Sequence, residues 1–149
     1  MIQLKTLLNC IDNSGASVVE CVNVLKKKRP ATIGQSLTKA GELAIVEEYL
    51  ANTGCVVVVQ KQRAAGAEGS SATALANKVR RGDIRHAVVV RVKKELQRTD
   101  GTVVRFGDNA CVLVNKAGDP IGTRMNGVVG QELRGKQWSK ILSLAPVHV

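Results

Sequence analysis

Aromatic side chains are nearly absent from this chain, which has one Tyr, one Phe and one Trp in 149 residues. Proteins that bind single-stranded nucleic acid without sequence preference stack bases on several aromatic faces. Tyr49, Phe106 and Trp138 are too few for such a platform. We therefore expect Phe106 and Trp138 to lie in the core, and any contact with nucleic acid to use the backbone and shape of a folded RNA.

Closely spaced cysteines are also missing. The four Cys residues stand far apart in sequence without a Cys-x-x-Cys pair, and the chain has only two His. This spacing argues against a zinc site and against a disulfide framework. It favours buried free thiols at Cys10, Cys21, Cys55 and Cys111 in a reducing compartment, and we predict no metal and no cofactor.

Long apolar runs are absent as well. No stretch reaches about 18 apolar residues, so no transmembrane helix is predicted. Residues 1–8 have too short an apolar part for a secretory signal and lack the Arg- and Ser-rich character of a typical organelle presequence. A membrane surface is not an expected partner, because the basic residues lie in segments typical of strands rather than in a basic amphipathic helix.

Positive charge is in excess and is localised. The formal net charge is +10, and residues after position 75 hold 14 of the 22 Lys+Arg and 6 of the 12 Asp+Glu, which gives +8 there and +2 in residues 1–75. A chain of this charge repels itself, so it needs a polyanionic partner. Nucleic acid is the partner that this pattern favours.

The cations stand beside apolar, β-branched runs between residues 79 and 134. This pattern predicts a sheet with one buried face and one cationic face. Residues 87–94 and 102–107 flank a turn whose Asp100-Gly101 pair predicts a tight hairpin, and alternation places Arg91 and Lys93 on one face. The predicted RNA-binding residues are Lys26, Lys27, Lys28, Arg29, Arg80, Arg81, Arg91, Lys93, Lys94, Arg98 and Arg105.

The remaining segments indicate a mainly β fold. Residues 12–16 predict a tight turn. Residues 130–142 have helical content that Gly135 divides, residues 37–52 predict a helix, and residues 63–77 predict an extended loop. Further strands are predicted at residues 18–25, 55–59 and 110–115, and residues 4–10 lead into the turn at 12–16. Short strands joined by Gly and Asp turns favour a small antiparallel β-barrel with helical additions.

Catalytic motifs are not supported. The spacing from Gly130 to Lys136 fits a phosphate-binding loop, but Gln137 stands where Ser or Thr should bind magnesium, and the segment favours a helix. Ser14 is not in a nucleophile elbow. We predict that the chain is not an enzyme. A nucleotide-binding enzyme remains an alternative that would have to use this segment.

Several strings are more specific than composition. They are Asp12-Asn13-Ser14-Gly15-Ala16, Arg81-Gly82-Asp83, Ala87-Val88-Val89-Val90-Arg91, Asp100-Gly101-Thr102-Val103-Val104-Arg105-Phe106, Asn109-Ala110, Pro120-Ile121-Gly122-Thr123-Arg124, Glu132-Leu133-Arg134 and Lys140-Ile141-Leu142-Ser143-Leu144-Ala145-Pro146. In this order they closely resemble the universal large-subunit ribosomal protein fourteen family, particularly its bacterial branch. The resemblance covers residues 1–25, about 54–65 and 78–147.

The resemblance implies one domain over residues 1–149, a five-stranded barrel with short C-terminal helices. It implies binding to large-subunit rRNA, neighbours of the protein nineteen and protein three families, and a contribution to an intersubunit bridge with small-subunit rRNA. By position, Thr123, Arg124 and Lys140 match a family surface that a ribosome-silencing factor uses. A free-standing RNA-binding β-barrel outside the ribosome is the alternative.

Departures from the family bear on the source of the chain. Ser17 stands at a usual arginine and Val128 at a usual proline, and residues 106–109 reorder a usual Phe-Asp-x-Asn turn. Insertions at about 30–53, with an added helix, and 66–77 separate bacterial-type motifs. This combination resembles a mitochondrial ribosomal protein, located in the matrix; a bacterial or plastid origin is the alternative.

Overall fold

Five strands form a closed barrel in this computed structural model, which describes residues 1–24, 30–33, 54–62, 79–136 and 138–149. Around the barrel, the strands are β1 (Leu7–Cys10), β2 (Ala16–Val24), β3 (Gly54–Gln62), β4 (Ile84–Arg91) and β7 (Ala110–Val114). Neighbouring strands are antiparallel except β1 and β7, which pair in parallel and close the barrel. The predicted mainly β fold with a small five-stranded barrel is confirmed.

Short elements complete the fold. A hairpin consists of β5 (Leu96–Gln97) and β6 (Val103–Val104), and a parallel pair consists of β8 (Val128–Val129) and β9 (Val147–His148). A 3-10 helix spans Gln131–Lys136 and helix α1 spans Ser139–Leu144. Among the described residues, no helix is long and apolar enough to cross a membrane.

Strand β7 and residues 87–90 of β4 are buried on both faces, whereas Ile84 and Arg85 at the start of β4 are exposed. Val89 and Leu113 belong to the cluster inside the barrel, whereas Val88 and Val112 belong to a second cluster with residues of the C-terminal segment. That second cluster includes Leu133, Trp138 and Ile141, so the short helices cover the outside of these two strands. The expected sheet with one cationic face is therefore wrong for β7 and for residues 87–90 of β4, since a covered face has no room for charged side chains.

Core predictions for individual residues are confirmed. Trp138 is buried in the outer cluster, and Phe106 packs, partly buried, against the inner one. Cys10, Cys21 and Cys111 are buried thiols of the barrel core. The side chain of Cys55 lies outside the described part.

The predicted hairpin turn is confirmed, but its flanking strands differ from the prediction. Arg98 N donates to Thr102 O at 2.9 Å, and Gly101 has a φ of +87°. Residues 87–91 pair with β7 instead of the hairpin. Strand β4 ends at Arg91, after a register irregularity between Val89 and Arg91. Lys93 therefore lies beyond the strand, and the prediction that Arg91 and Lys93 share one face of it is wrong.

Other predictions are corrected or remain open. The 3-10 helix runs through Gly135, so the helical content is not divided at that residue. It gives way instead to α1, which begins after Trp138. The predicted helix at 37–52 and the loop at 63–77 lie outside the described residues.

The turn at residues 12–16 connects β1 to β2 around a buried carboxylate. Asp12 is 1% exposed. Its Oδ1 accepts hydrogen bonds from Ser14 N at 3.0 Å and from the Ser14 hydroxyl, and its Oδ2 accepts from Leu113 N at 2.9 Å on β7. The same side chain thus closes a local turn and ties it to a strand about 100 residues away.

Gly122 lies against this turn and leaves no room for a side chain. A Cβ there would stand 2.7 Å from Asp12 Cβ and 2.8 Å from Asn13 Oδ1. Residues 122–124 can therefore approach the turn closely only because residue 122 is glycine.

We predict that Gly122→Ala lowers the free energy of unfolding by about 1–3 kcal/mol, because the turn and the loop must move apart. The control is Gly107→Ala, since a Cβ at Gly107 meets nothing within 4 Å. It should change stability by less than about 0.5 kcal/mol. Urea unfolding monitored by circular dichroism measures both, and equal stabilities of the two variants would contradict the close-packing argument.

Candidate nucleic-acid interface

The predicted cations fall into two groups at opposite ends of β4. Arg80 and Arg81 precede the strand, in a loop that Val79 N anchors to Ser14 O at 3.1 Å and Gly82 N anchors to Val59 O at 2.9 Å. The second group begins with the last residue of β4 and comprises Arg91, Lys93, Lys94, Arg98 and Arg105. Along the eight residues of β4, the ends lie roughly 23 Å apart.

Lys93, Lys94 and Arg105 form the exposed part of the second group, and we call them the hairpin cations. Phe106 N donates to Val92 O at 3.3 Å, which brings the flanking residues Lys93 and Arg105 together across the base of the hairpin. Arg105 has a loose contact of 3.8 Å with Glu95, and both side chains are mostly exposed, at 63% and 60%. Such an exposed ion pair contributes little to the stability of the fold, and it leaves the guanidinium able to bind phosphate.

The amino group of Met1 lies near Lys94. Its pKa is lowered, first because the amine is partly buried and second because Lys94 repels its charged form. The Met1 amino group is therefore a neighbour of the hairpin cations.

Arg91 is held inside the protein. Its Nη2 lies 3.0 Å from Asp108 Oδ2, which also accepts from Asn9 Nδ2 at 3.1 Å. The side chain is 16% exposed, and Nη1 lies 2.9 Å from where a Cβ on Gly127 would be. Through Asp108, this arginine links the end of β4 to the residues before β7 and to Asn9 of β1, a role that sequence analysis missed.

Arg98 also has internal partners. Its Nε donates to Glu132 Oε1 at 2.5 Å and its Nη2 to Val149 O at 2.7 Å. The hydrogen bond with Glu132 raises the pKa of Arg98 above its ordinary value. Because Glu132 is 34 residues away in sequence, no local pattern could identify it as the partner. RNA contacts by Arg91 and Arg98 remain predictions.

Thr123 and Arg124 are presented by Asn13. Its Oδ1 accepts from Thr123 N at 2.8 Å and Arg124 N at 3.3 Å, and its Nδ2 donates to Thr123 Oγ1 at 2.9 Å. A backbone hydrogen bond is added, in which Asn13 N donates to Arg124 O at 3.2 Å. The loop is therefore fixed to the Asp12 turn, with the side chains of Thr123 and Arg124 exposed.

Lys140 joins this region through an ion pair. Its Nζ contacts Asp119 Oδ1, and both side chains are largely exposed. Asp119 ends the turn after β7, in which Asn115 N donates to Asp119 O at 2.8 Å. Helix α1 therefore contacts the same loop that carries Thr123 and Arg124, and the structure brings the three predicted surface residues onto one loop and its neighbouring helix.

Two further predictions concern cations and cofactors. Lys26, Lys27, Lys28 and Arg29 lie outside the described residues. Residues 131–136 form a 3-10 helix rather than an open phosphate-binding loop. Within the part of the chain that the structure describes, no three His, Cys, Asp or Glu residues are grouped to hold a metal ion.

Comparison with known proteins agrees with the resemblance in the motifs. A family model described as Ribosomal protein L14p/L23e matches residues 1–149. A protein of Neurospora crassa named large ribosomal subunit protein uL14m is 62% identical over 148 residues, which cover 99% of each chain. A protein of the same name from Schizosaccharomyces pombe is 49% identical over 146 residues, 98% of each chain. The chain belongs to the L14p/L23e family of ribosomal proteins.

Proposed function

We propose that the hairpin cations are the main contact of this protein with large-subunit rRNA. The protein is a structural constituent of the large subunit of the mitochondrial ribosome and not an enzyme, as its family and its two uL14m relatives indicate. It is therefore associated with rRNA. The observation that carries the proposal is the exposure of Lys93, Lys94 and Arg105 in one place, while Arg91 and Arg98 of the same group have internal partners.

A second contact with RNA is proposed for Arg80 and Arg81. Both side chains are exposed on a loop that the turn at Ser14 and strand β3 hold in place. They lie roughly the length of β4 away from the hairpin cations. This distance is several times the spacing of successive phosphates along one strand of RNA. They would therefore contact a different stretch of RNA. Lys26 to Arg29 are proposed to add to rRNA binding by charge alone.

Thr123, Arg124 and Lys140 are proposed to face the small subunit. The fixed loop and the helix present one hydroxyl and two cations on a surface that uses no core residue. Small-subunit rRNA at an intersubunit bridge fits this chemistry, and so does a ribosome-silencing factor that blocks joining. Neighbours of the protein nineteen and protein three families are proposed from the resemblance.

The salt dependence of RNA binding tests the main contact. In Lys93→Ala/Arg105→Ala, we expect the plot of log affinity against log salt to flatten by about two units, because two phosphate contacts and their released counterions are lost. The probe is a transcript of the mitochondrial large-subunit rRNA in a filter-binding assay. The matched control is Lys61→Ala/Lys116→Ala, which removes the same charge from exposed positions elsewhere. Equal slopes for the two variants would contradict the assignment.

Subunit joining tests the proposed interface. Arg124→Glu/Lys140→Glu should enter large subunits normally, since the Lys140 ion pair is exposed and contributes little to folding. Reversed charge facing small-subunit RNA should then reduce the fraction of joined ribosomes in gradient profiles, or weaken binding of a silencing factor.

Lys5→Glu/Lys61→Glu serves as the control for this experiment. It makes the same change in charge at two exposed positions outside the proposed interface. Normal incorporation together with normal joining and normal silencing in the Arg124 and Lys140 variant would rule out the role.

A further inference from the structure

Arg98 and Glu132 join the hairpin to the 3-10 helix. Their side chains are 21% and 17% exposed, so the ion pair is largely removed from water. Arg98 uses Nε on Glu132 and Nη2 on the carbonyl of Val149, which fixes the plane of the guanidinium in two directions. Charge-assisted hydrogen bonds of this kind are stronger than neutral ones and set orientation as well as distance.

The hairpin is small, and the ion pair adds to the packing of Leu96 and Phe106 that holds it against the barrel core. Its strands pair over two residues each and are not part of the barrel sheet. A two-stranded hairpin of this length is marginal in water without packing against another element. Arg98 also closes the turn, since its N–H donates to Thr102 O and its carbonyl accepts from Gly101 N. One residue therefore shapes the turn and holds it to the body of the protein.

Glu132 is itself closely confined. A Cβ on Gly130 would lie 2.7 Å from Glu132 Oε2 and 2.8 Å from Ile33 Cγ2. The carboxylate thus lies close to the backbone of Gly130, with Oε1 as the acceptor for Arg98 Nε. Since Glu132 is an anion, direct contact with RNA would be repulsive.

We propose that Glu132 is a positioning residue for RNA binding, which acts through Arg98 to hold the hairpin cations in place. This inference rests on the proposed function, because it takes the hairpin cations as the contact with rRNA. It also gives Arg98, a predicted RNA-binding cation, the role of orienting the hairpin instead of binding phosphate. Removing the negative charge of Glu132 should by simple electrostatics strengthen RNA binding; under the proposal it weakens it.

The test compares Arg98→Met, Glu132→Met and the double variant in the full chain, with the mitochondrial large-subunit rRNA transcript as the probe. We expect each single variant to bind roughly tenfold more weakly, within the usual range of coupling between sites. The slope of log affinity against log salt should be unchanged, because the phosphate contacts remain the same in number. The double variant should bind no more weakly than either single one, because both changes break the same link.

Two results would overturn the proposal. One is unchanged or tighter binding by Glu132→Met. The other is a flatter slope, by about 0.9 unit, for Arg98→Met with additive losses in the double variant, since Arg98 would then bind phosphate itself. Glu132→Gln covers the case in which the Met variant does not fold. It keeps the size and one acceptor, and it should bind about threefold more weakly at an unchanged melting temperature; unchanged or tighter binding again overturns the proposal.

The variant Lys93→Ala/Arg105→Ala is measured in parallel, because it distinguishes a failure of this inference from a failure of the proposed function. If its slope is unchanged, the hairpin cations are not the RNA contact and the proposed function fails. If its slope flattens while Glu132→Met and Glu132→Gln bind normally, only the positioning role is wrong.

Discussion

The carboxylate of Asp12 is the contact on which the rest of this structure depends. It is buried, and burial of a charged group is costly unless hydrogen bonds compensate it. Ser14 N, the Ser14 hydroxyl, Cys10 Sγ and Leu113 N all donate to its two oxygens. These bonds join the end of β1, the turn into β2 and Leu113 of β7. Strands β1 and β7 are the two whose parallel pairing closes the barrel. Asn13, the next residue, then positions the loop with Thr123 and Arg124.

Closure of the barrel determines where the charge can be. Since the C-terminal helices cover residues 87–90 of β4 and the outside of β7, the predicted cations near these residues lie at the ends of β4, in the loops beside it and in the hairpin. Two of these arginines form ion pairs within the protein: Arg91 binds Asp108 and Arg98 binds Glu132. The lysines and Arg105 remain exposed at the surface. The cations of these loops and of the hairpin thus divide into some with internal ion pairs and others whose side chains are exposed.

Local signals in the sequence were sufficient for much of this fold. Asp12 to Ala16 predicted a turn, Asp100-Gly101 predicted a hairpin, and apolar runs predicted the barrel strands, because each of these depends on residues close together in the chain. The continuous apolar run of β7 was a signal of burial on both faces that the prediction of a one-sided sheet did not use. The internal partners of Arg91 and Arg98 could not be predicted, because these carboxylates lie 17 and 34 residues away and only the folded chain brings them together.

The measurement that tests the central claim most directly is the free energy of unfolding of Asp12→Asn. The amide replaces an acceptor that binds donors on both oxygens, so one N–H would face another in the interior. We expect a loss of about 2–4 kcal/mol, against about 1 kcal/mol for Ser14→Ala, which removes one donor hydroxyl. Amide exchange should quicken at Leu113 and Thr123 in Asp12→Asn. A loss below about 0.5 kcal/mol, with both amides protected as before, would contradict the claim that this carboxylate holds the barrel closed and the loop in place.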